Sequence, residues 1–335
     1  MYGHVSETPR VRHIGREIRE FDSVDSTQLA ARRLLQTGAA SGTVVTAREQ
    51  TSGRGRLGRV WLSPRGAGVY LSVILRTGGA HAAFVRTCAH RTHNTDAAPL
   101  RCARASADGA AVVRQYLSLA AGVAVMEVLR RRYGLPALIK WPNDIFIHGR
   151  KVCGILVEGI DRDALILGIG VNTNMKIAGC SPDPDMHRVG PKESIPAQAT
   201  SLSAELRRDI DHSALLSDIL EALDIVYGGL VRGLSRFVIH RVRRHLYGLS
   251  REVCFDAGGA ACSGVPRVSA CGLPARGASR NLASQAASCC ARDAAIHASG
   301  IFEGVDDEGR ALVRTGEGRV CAVTSGEVRI MHTAL

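Results

Sequence analysis

The sequence predicts an α+β protein, with a larger domain over residues 21–248 and a small β-barrel over 249–335. Three observations predict it. Apolar runs of strand length, such as Thr43–Ala47, Val69–Leu75 and Ala164–Val171, are interleaved with segments of helical periodicity. Tyr116–Tyr133 is a long apolar stretch that ends in arginines, as a buried helix does. Beyond Leu249, short strand-like runs are separated by Asp-Glu-Gly, Gly-Glu-Gly and Ser-Gly turns, which suits a small barrel.

The elements follow in order. Residues 1–20 are polar and basic and read as an extended lead-in. Gln28–Leu35 has helical periodicity, with Asp25 or Ser26 as its N-cap and Gly38 as its stop. Thr43–Ala47 and Val69–Leu75 read as strands. Residues 77–113 are rich in Ala, Arg and His without periodicity and read as an exposed insertion. Its His81, His90 and His93 lack a carboxylate or cysteine frame at ligand spacing. The helix at 116–133 ends on Arg130-Arg131-Arg132, cations that complement its C-terminus.

Leu138–Trp141 reads as a strand stopped by Pro142-Asn143-Asp144. Ile145–Ile147 and Lys151–Glu158 read as a hairpin around His148-Gly149. The strand Ala164–Val171 ends in Asn172-Thr173-Asn174, and a Pro/Gly/Asp-rich loop covers 175–199. Leu215–Val231 is helical, and a second helix runs to about His245. Val253–Phe255 is a strand, and 257–298 is a second, low-complexity insertion. Barrel strands are expected at Gly300–Val305, Ala311–Arg314, Arg319–Thr324 and Glu327–Ile330.

A net charge of +12 over 335 residues favours anionic partners: nucleotides, nucleic acid or an acidic protein. The ten cysteines include no C-x-x-C pair, so neither a zinc knuckle nor a redox motif is indicated. No apolar run approaches the ~20 residues that span a bilayer, and the first residues lack the charged, then apolar, pattern of a signal peptide, so none is expected. Reduced cysteines in a cytoplasmic protein are expected.

The chemistry concentrates in Ser52–Trp61, which packs three glycines, three arginines and a tryptophan into ten residues. Glycines let backbone N–H groups approach an anion, and arginines add forked donors. Lys140 stands on a strand before a Pro-Asn turn, where it either projects a fixed cation into a pocket or faces water. Asn172 closes an apolar strand and suits either a planar ligand edge or an Asx turn. No G-x-x-x-x-G-K-[ST] or G-x-S-x-G occurs, so a P-loop and a nucleophile elbow are unsupported.

The whole order resembles the biotin–protein ligases. The resemblance rests on Asp25-Ser26-Thr27, Gln50 with Gly53-Arg54-Gly55-Arg56-x-Gly58-Arg59-x-Trp61-x-Ser63-Pro64, and Lys140-Trp141-Pro142-Asn143-Asp144. Lys151-Val152-Cys153-Gly154-Ile155-Leu156-Val157-Glu158, Gly168-Ile169-Gly170-Val171-Asn172 and Ala199-Thr200-Ser201-Leu202 continue it. It covers nearly the whole chain outside residues 1–15 and the two insertions.

The resemblance implies a mixed-sheet catalytic domain of the class II aminoacyl-tRNA synthetase/biotin synthetase-like type, followed by a small SH3-like β-barrel. It implies that biotin and ATP, with Mg²⁺, form biotinyl-5′-AMP. Biotin then passes to one lysine of a biotin carboxyl carrier protein. Biotin-binding residues would be Ser26, Thr27, Gln28, Gln50, Gly53, Arg54, Gly55, Arg56 and Lys140. Arg56, Arg59, Trp61, Lys140 and Asn172 would bind ATP or the adenylate, with Lys140 and Arg56 catalytic; no metal ligands are assigned. About two dozen residues precede Asp25, too few for a helix-turn-helix domain, so no DNA binding is expected. Monomers and homodimers paired through sheet edges both remain open. The rival readings are a lipoate–protein ligase of the same fold, a basic RNA- or DNA-binding protein using the Arg/Gly loop, and a catalytically silent biotin-binding scaffold.

Overall fold

A computed structural model describes residues 13–77, 109–176, 199–256, 260–261 and 297–331. The larger domain is built on a seven-stranded sheet. Its strands are β1 (Ile18–Phe21), β2 (Val44–Ala47), β3 (Gly68–Arg76), β4 (Leu138–Lys140), β5 (Asp144–Ile147), β6 (Arg150–Gly159) and β7 (Ala164–Asn172). Their spatial order is β1-β2-β3-β7-β6-β5-β4. β1 and β2 pair in parallel and the other neighbours antiparallel, so the sheet is mixed. The lead-in reading of residues 1–20 is corrected here: Ile18–Phe21 is an edge strand. All four of its residues are exposed, so it carries no burial pattern; backbone pairing to β2 makes it a strand.

The pleat sends alternate residues to opposite faces. Val69, Leu71, Val73 and Leu75 of β3, with Leu165, Leu167, Ile169 and Val171 of β7, enter one large core. That core is completed by α2 (Gly109–Tyr133), α4 (His212–Val231) and α5 (Ser235–Arg244). On the opposite face, Val45, Ile74 and Ile166 pack against Ala30, Ala31 and Leu35 of α1 (Thr27–Gln36). Strands covered on both faces read as continuous apolar runs, which is why β3 and β7 stand out in the sequence. Fully burying one such Val, Leu or Ile is worth about 1.5–3 kcal/mol.

The first insertion is shorter than 77–113, because α2 starts at Gly109. The Ala-Ala-Val-Val run ahead of Tyr116 extends the helix. His81, His90 and His93 lie outside the described residues, as does most of loop 175–199. A short helix, α3 (Leu202–Leu206), escaped the sequence reading; Ser201 caps it by accepting a hydrogen bond from the Ala204 N–H.

The C-terminal part is a six-stranded antiparallel sheet in the order β13-β8-β10-β11-β12-β9. Its strands are β8 (Glu252–Asp256), β9 (Ala260–Ala261), β10 (His297–Val305), β11 (Ala311–Thr315), β12 (Val320–Val323) and β13 (Val328–Ile330). β9 and the start of β10 fall inside the predicted insertion 257–298; its remainder lies outside the described residues. Val253, Phe255, Phe302, Val305 and Val313 belong to the same core cluster as the larger sheet. Trp141 Nε1 donates to the Gly309 carbonyl at 2.9 Å and the Tyr116 hydroxyl to the Asp307 carbonyl at 2.8 Å. The two domains thus share a core and a polar seam. No helix among the described residues is long and apolar enough to cross a membrane.

Candidate active site

A cleft opens on the α1 face of the larger sheet, between α1, the Gly/Arg loop, β6 and β7. Its floor is glycine. Gly154 of β6 and Gly170 of β7 are register partners, and the Trp61 indole lies across them. A Cβ at Gly170 would stand 2.4 Å from Trp61 Nε1, and one at Gly154 2.9 Å from Cζ3.

The wall is polar. The Thr27 N–H and hydroxyl donate to Gln50 Oε1 at 2.8 and 3.1 Å, and Gln50 Nε2 donates to the Ser63 hydroxyl at 2.7 Å. Ser72 donates to the Thr27 hydroxyl at 2.9 Å, so Thr27 and Gln50 are braced from β3 and from the loop. Gln28 Nε2 donates to Glu158 Oε2 at 3.1 Å, and Glu158 Oε1 lies 3.5 Å from Arg54 Nη2. On the residues lining this cleft, three buried atoms have no hydrogen-bond partner among the described residues: Ser26 Oγ, Gln28 Oε1 and Trp61 Nε1. Each such atom costs about 1–3 kcal/mol when left unpaired. Three of them on residues lining one cleft mark a site for a polar ligand.

The Gly/Arg loop is a small hairpin. The Gly55 N–H donates to the Arg59 carbonyl at 2.7 Å and the Trp61 N–H to the Gly53 carbonyl at 2.9 Å. Position 53 requires glycine, since a Cβ there would stand 2.2 Å from the Trp61 carbonyl oxygen. A 3₁₀ turn, Arg56–Gly58, caps the hairpin, with φ of 55° at Leu57 and 72° at Gly58. Gly53, Gly55 and Gly58 have the spacing of a dinucleotide fingerprint, but Gly58 closes this 3₁₀ turn and no α-helix N-terminus lies there. The Arg56 guanidinium donates to Asn143 Oδ1 at 2.9 Å and to the Gly326 carbonyl at 3.0 Å. Burial lowers its pKa, while Asp144 and Glu327 act to raise it.

The lysine that lines the cleft, beside Arg54 and Arg56, is Lys151 rather than Lys140. Lys151 Nζ pairs with Asp144 Oδ1 at 2.7 Å and lies 5.3 Å from the Trp61 ring centroid. Simple alternation puts Gly154, Leu156 and Glu158 on the cleft face and would send Lys151 to the core. A β-bulge reverses this. Ile145 pairs with Cys153, but Phe146 pairs with Lys151, leaving Val152 as the extra residue. The bulge brings Lys151 onto the Gly154 side, where its Nζ would stand 3.3 Å from a Cβ at Gly154.

Of the sequence-predicted residues, Ser26, Thr27, Gln28, Gln50, Arg54, Gly55, Arg56 and Trp61 line this cleft. Gly53 shapes the loop behind them. Lys140, Arg59 and Asn172 are not among its lining residues. Lys140 Nζ sits 5.2 Å from the Phe146 ring centroid, and desolvation lowers its pKa against Asp144 and Glu327. Asn172 is spent on structure, its amide donating to the Thr200 carbonyl at 3.1 Å. Arg59 reaches the C-terminal sheet and pairs with Glu327. Sequence reasoning missed Lys151, Glu158 and Asn143, all of which stood in its motifs. The described residues contain no group of three or more His, Cys, Asp or Glu placed to hold a metal ion. Asp144, the carboxylate beside the cleft cations, is engaged by Lys151.

Comparison with known proteins places this cleft in a wider set. Residues 20–92 and 102–174 match the biotin/lipoate A/B protein ligase family, and residues 292–331 match the biotin protein ligase C-terminal domain. The chain is 33% identical to the bifunctional ligase/repressor BirA of Bacillus subtilis over 211 residues, covering 62% of this chain and 52% of that protein. It therefore spans about half the length of the first curated relatives it matches. It is 29% identical to the biotin–[acetyl-CoA-carboxylase] ligase of Paracoccus denitrificans over 301 residues, 88% of this chain and 93% of that one. The biotin protein ligase of Aquifex aeolicus, solved in complex with biotin and ATP, superposes with a TM-score of 0.60 at 25% identity, covering 95% of this chain and all of that one. Residues 20–174 thus carry a domain of the biotin/lipoate A/B protein ligase family, followed in chain order by the biotin protein ligase C-terminal domain.

Proposed function

We propose that this chain activates biotin with ATP and transfers it to a lysine of a biotin carboxyl carrier protein. The observation that carries the reading is a polar wall facing the cations Arg56 and Lys151 in one cleft. Ser26 Oγ and Gln28 Oε1 are buried without partners beside Arg56 and Lys151. A ureido ring offers one carbonyl and two N–H groups, which complement a hydroxyl and an amide oxygen. The valerate carboxylate would then lie towards the cations.

In the first step a carboxylate oxygen of biotin attacks the α-phosphorus of ATP. The bond to pyrophosphate breaks, leaving biotinyl-5′-AMP, a mixed anhydride. Two anions must meet, and Arg56 and Lys151 screen that repulsion and stabilise charge on the α-phosphate. Asp144 holds the Lys151 ammonium and Asn143 the Arg56 guanidinium, so both are oriented before substrate arrives. Trp61, stacked on the glycine floor, is the platform for a planar ligand. Arg59 holds the loop, and Lys140 and Asn172 support the site from behind it. Magnesium, bound with the nucleotide, would neutralise part of its phosphate charge. In the second step the acceptor lysine amine attacks the acyl carbon, an amide forms and AMP leaves.

Purified protein given biotin, ATP, Mg²⁺ and a biotin carboxyl carrier domain is expected to label one lysine and release pyrophosphate. No labelling where a control ligase works would overturn the reading, and transfer of lipoate in its place would select a lipoate ligase.

A further inference from the structure

We infer that Glu158 is a positioning residue that fixes the Gln28 amide so that its oxygen selects a ligand N–H. The inference rests on the biotin reading above and names the contact by which that ligand would be recognised.

An amide side chain presents a donor at one end and an acceptor at the other, and the two ends are nearly the same shape. A cleft that must accept a hydrogen bond therefore needs something to decide which end faces it. Glu158 supplies that decision. A carboxylate offers acceptors only, so the Gln28 end at 3.1 Å from Glu158 Oε2 must be the NH₂. The oxygen is then turned away from Glu158, on a side chain only 3% exposed, with no partner among the described residues. Gln28 also packs tightly over the floor, where a Cβ at Gly168 would stand 3.0 Å from its Cδ.

The other Glu158 oxygen faces Arg54 Nη2 at 3.5 Å. One carboxylate thus joins α1, β6 and the Gly/Arg loop at the cleft. β6 places it there by plain alternation from Gly154 through Leu156 to Glu158. A merely structural ion pair would not need a buried amide beside it with one end unsatisfied. A ligand N–H satisfies that end, whereas a ring without N–H leaves it unpaired. The arrangement discriminates against such rings by the cost of the unmade bond.

The test measures equilibrium binding of biotin, of biotin methylated on each ring nitrogen in turn, and of lipoate. Wild-type protein is expected to bind biotin and at least one methylated form at least tenfold more weakly. Glu158→Gln, which lets the facing amides pair either way round, is expected to weaken biotin about tenfold while changing kcat at saturating biotin less than twofold. Its effect on lipoate is expected to be under twofold. Gln28→Glu alone places two carboxylates together and is expected to lose more. The double variant Gln28→Glu/Glu158→Gln restores one donor against one acceptor and is expected to recover biotin affinity to within about threefold of wild type.

Equal binding of biotin and both methylated forms by wild type would overturn the inference without any variant. So would unchanged biotin affinity in Glu158→Gln, or a double variant no better than Gln28→Glu. Failure of wild type to bind biotin at all would instead strike the underlying functional reading.

Discussion

Arg59 and Glu327 meet through two hydrogen bonds, 3.1 Å from Nη1 to Oε1 and 2.8 Å from Nη2 to Oε2, across 268 residues of chain. With the bond from Arg56 to the Gly326 carbonyl, they fasten the tip of the Gly/Arg loop to the turn before β13. The C-terminal sheet is therefore part of how the active-site loop is held. Glu327 also accepts from Arg329 at 3.0 Å.

Burial pushes the Glu327 carboxyl upward, but hydrogen bonds from Arg59 and the charges of Arg59, Arg329 and Lys140 outweigh it and hold the pKa down at about 2. A carboxyl depressed in the folded state stabilises it above the unfolded pKa of about 4.3, and loses that contribution as pH falls towards 2. The full linkage is worth about 3 kcal/mol, and solvent screening at the half-exposed Arg59 reduces what is measured. Glu327→Gln is expected to lower Tm at pH 7. The difference from wild type should shrink steadily between pH 4.5 and 2. Melting curves across that range check it; a difference independent of pH would refute the assignment.

The two lysines make a sharper contrast. Lys151 is held in the cleft by Asp144, whereas Lys140 lies against Phe146 outside it. Lys151→Ala is expected to reduce pyrophosphate release by at least a hundredfold, since a cation preorganised at a developing charge supplies a few kcal/mol. Lys140→Ala is expected to cost less than tenfold, and to act through stability. Single-turnover adenylation with saturating biotin and ATP measures both, and the reverse ranking would restore Lys140 as the catalytic cation.

That contrast also marks how far the sequence was legible. β3 and β7 were legible to within a residue or so, because double-sided burial leaves unbroken apolar runs. The Gly/Arg loop declared itself by composition. Ser26, Thr27, Gln28 and Gln50, singled out by the resemblance, line one cleft. Lys151 was hidden because its side is set by a bulge, and a single extra residue changes no composition or period that a sequence shows. The lysine-glycine spacing of Lys151 and Gly154, odd where a shared face demands even, was the one available signal. Asn172 is ambiguous in the sequence for another reason. A strand-ending asparagine suits a ligand edge and a loop carbonyl equally, and only the fold brought Thr200 to it. β1 carried no signal at all, being exposed on every residue.

The glycine floor gives a third prediction. Gly170→Ala puts a methyl about 2.4 Å from the Trp61 indole nitrogen, closer than packed atoms approach. The indole must lift off β7, at an overpacking cost of about 1–3 kcal/mol. ATP binding is expected to weaken at least tenfold with secondary structure retained. Tryptophan fluorescence should shift, since Trp61 is one of only two tryptophans and Trp141 is held elsewhere by Gly309. Wild-type ATP affinity in Gly170→Ala would show that the indole is not the platform.

Glu205 tests how the bulged strand is anchored. Its carboxylate, on a side chain only 5% exposed, accepts from Thr200 Oγ1 at 2.6 Å and pairs with Arg150 at 2.8 Å and His148 at 2.9 Å. Burial acts to raise its pKa, but the Thr200 and His148 hydrogen bonds and the Arg150 charge bring the net shift below the ordinary value. Thr200 in turn donates its N–H to the Lys151 carbonyl at 2.8 Å, so Glu205 braces the residue next to the bulge from α3. Glu205→Ala leaves Arg150 and Thr200 without that acceptor and is expected to cost about 3 kcal/mol of stability. Glu205→Gln keeps one acceptor for Thr200 and is expected to cost less than half of that. If Glu205 also sets the strand, adenylation by the folded Glu205→Ala protein should fall in kcat while biotin affinity stays within about twofold, since the polar wall is built from α1, the loop and Glu158 at the far end of β6 from Lys151. Urea titration and single-turnover kinetics on the same samples separate the two effects, and an unchanged kcat would confine Glu205 to stability.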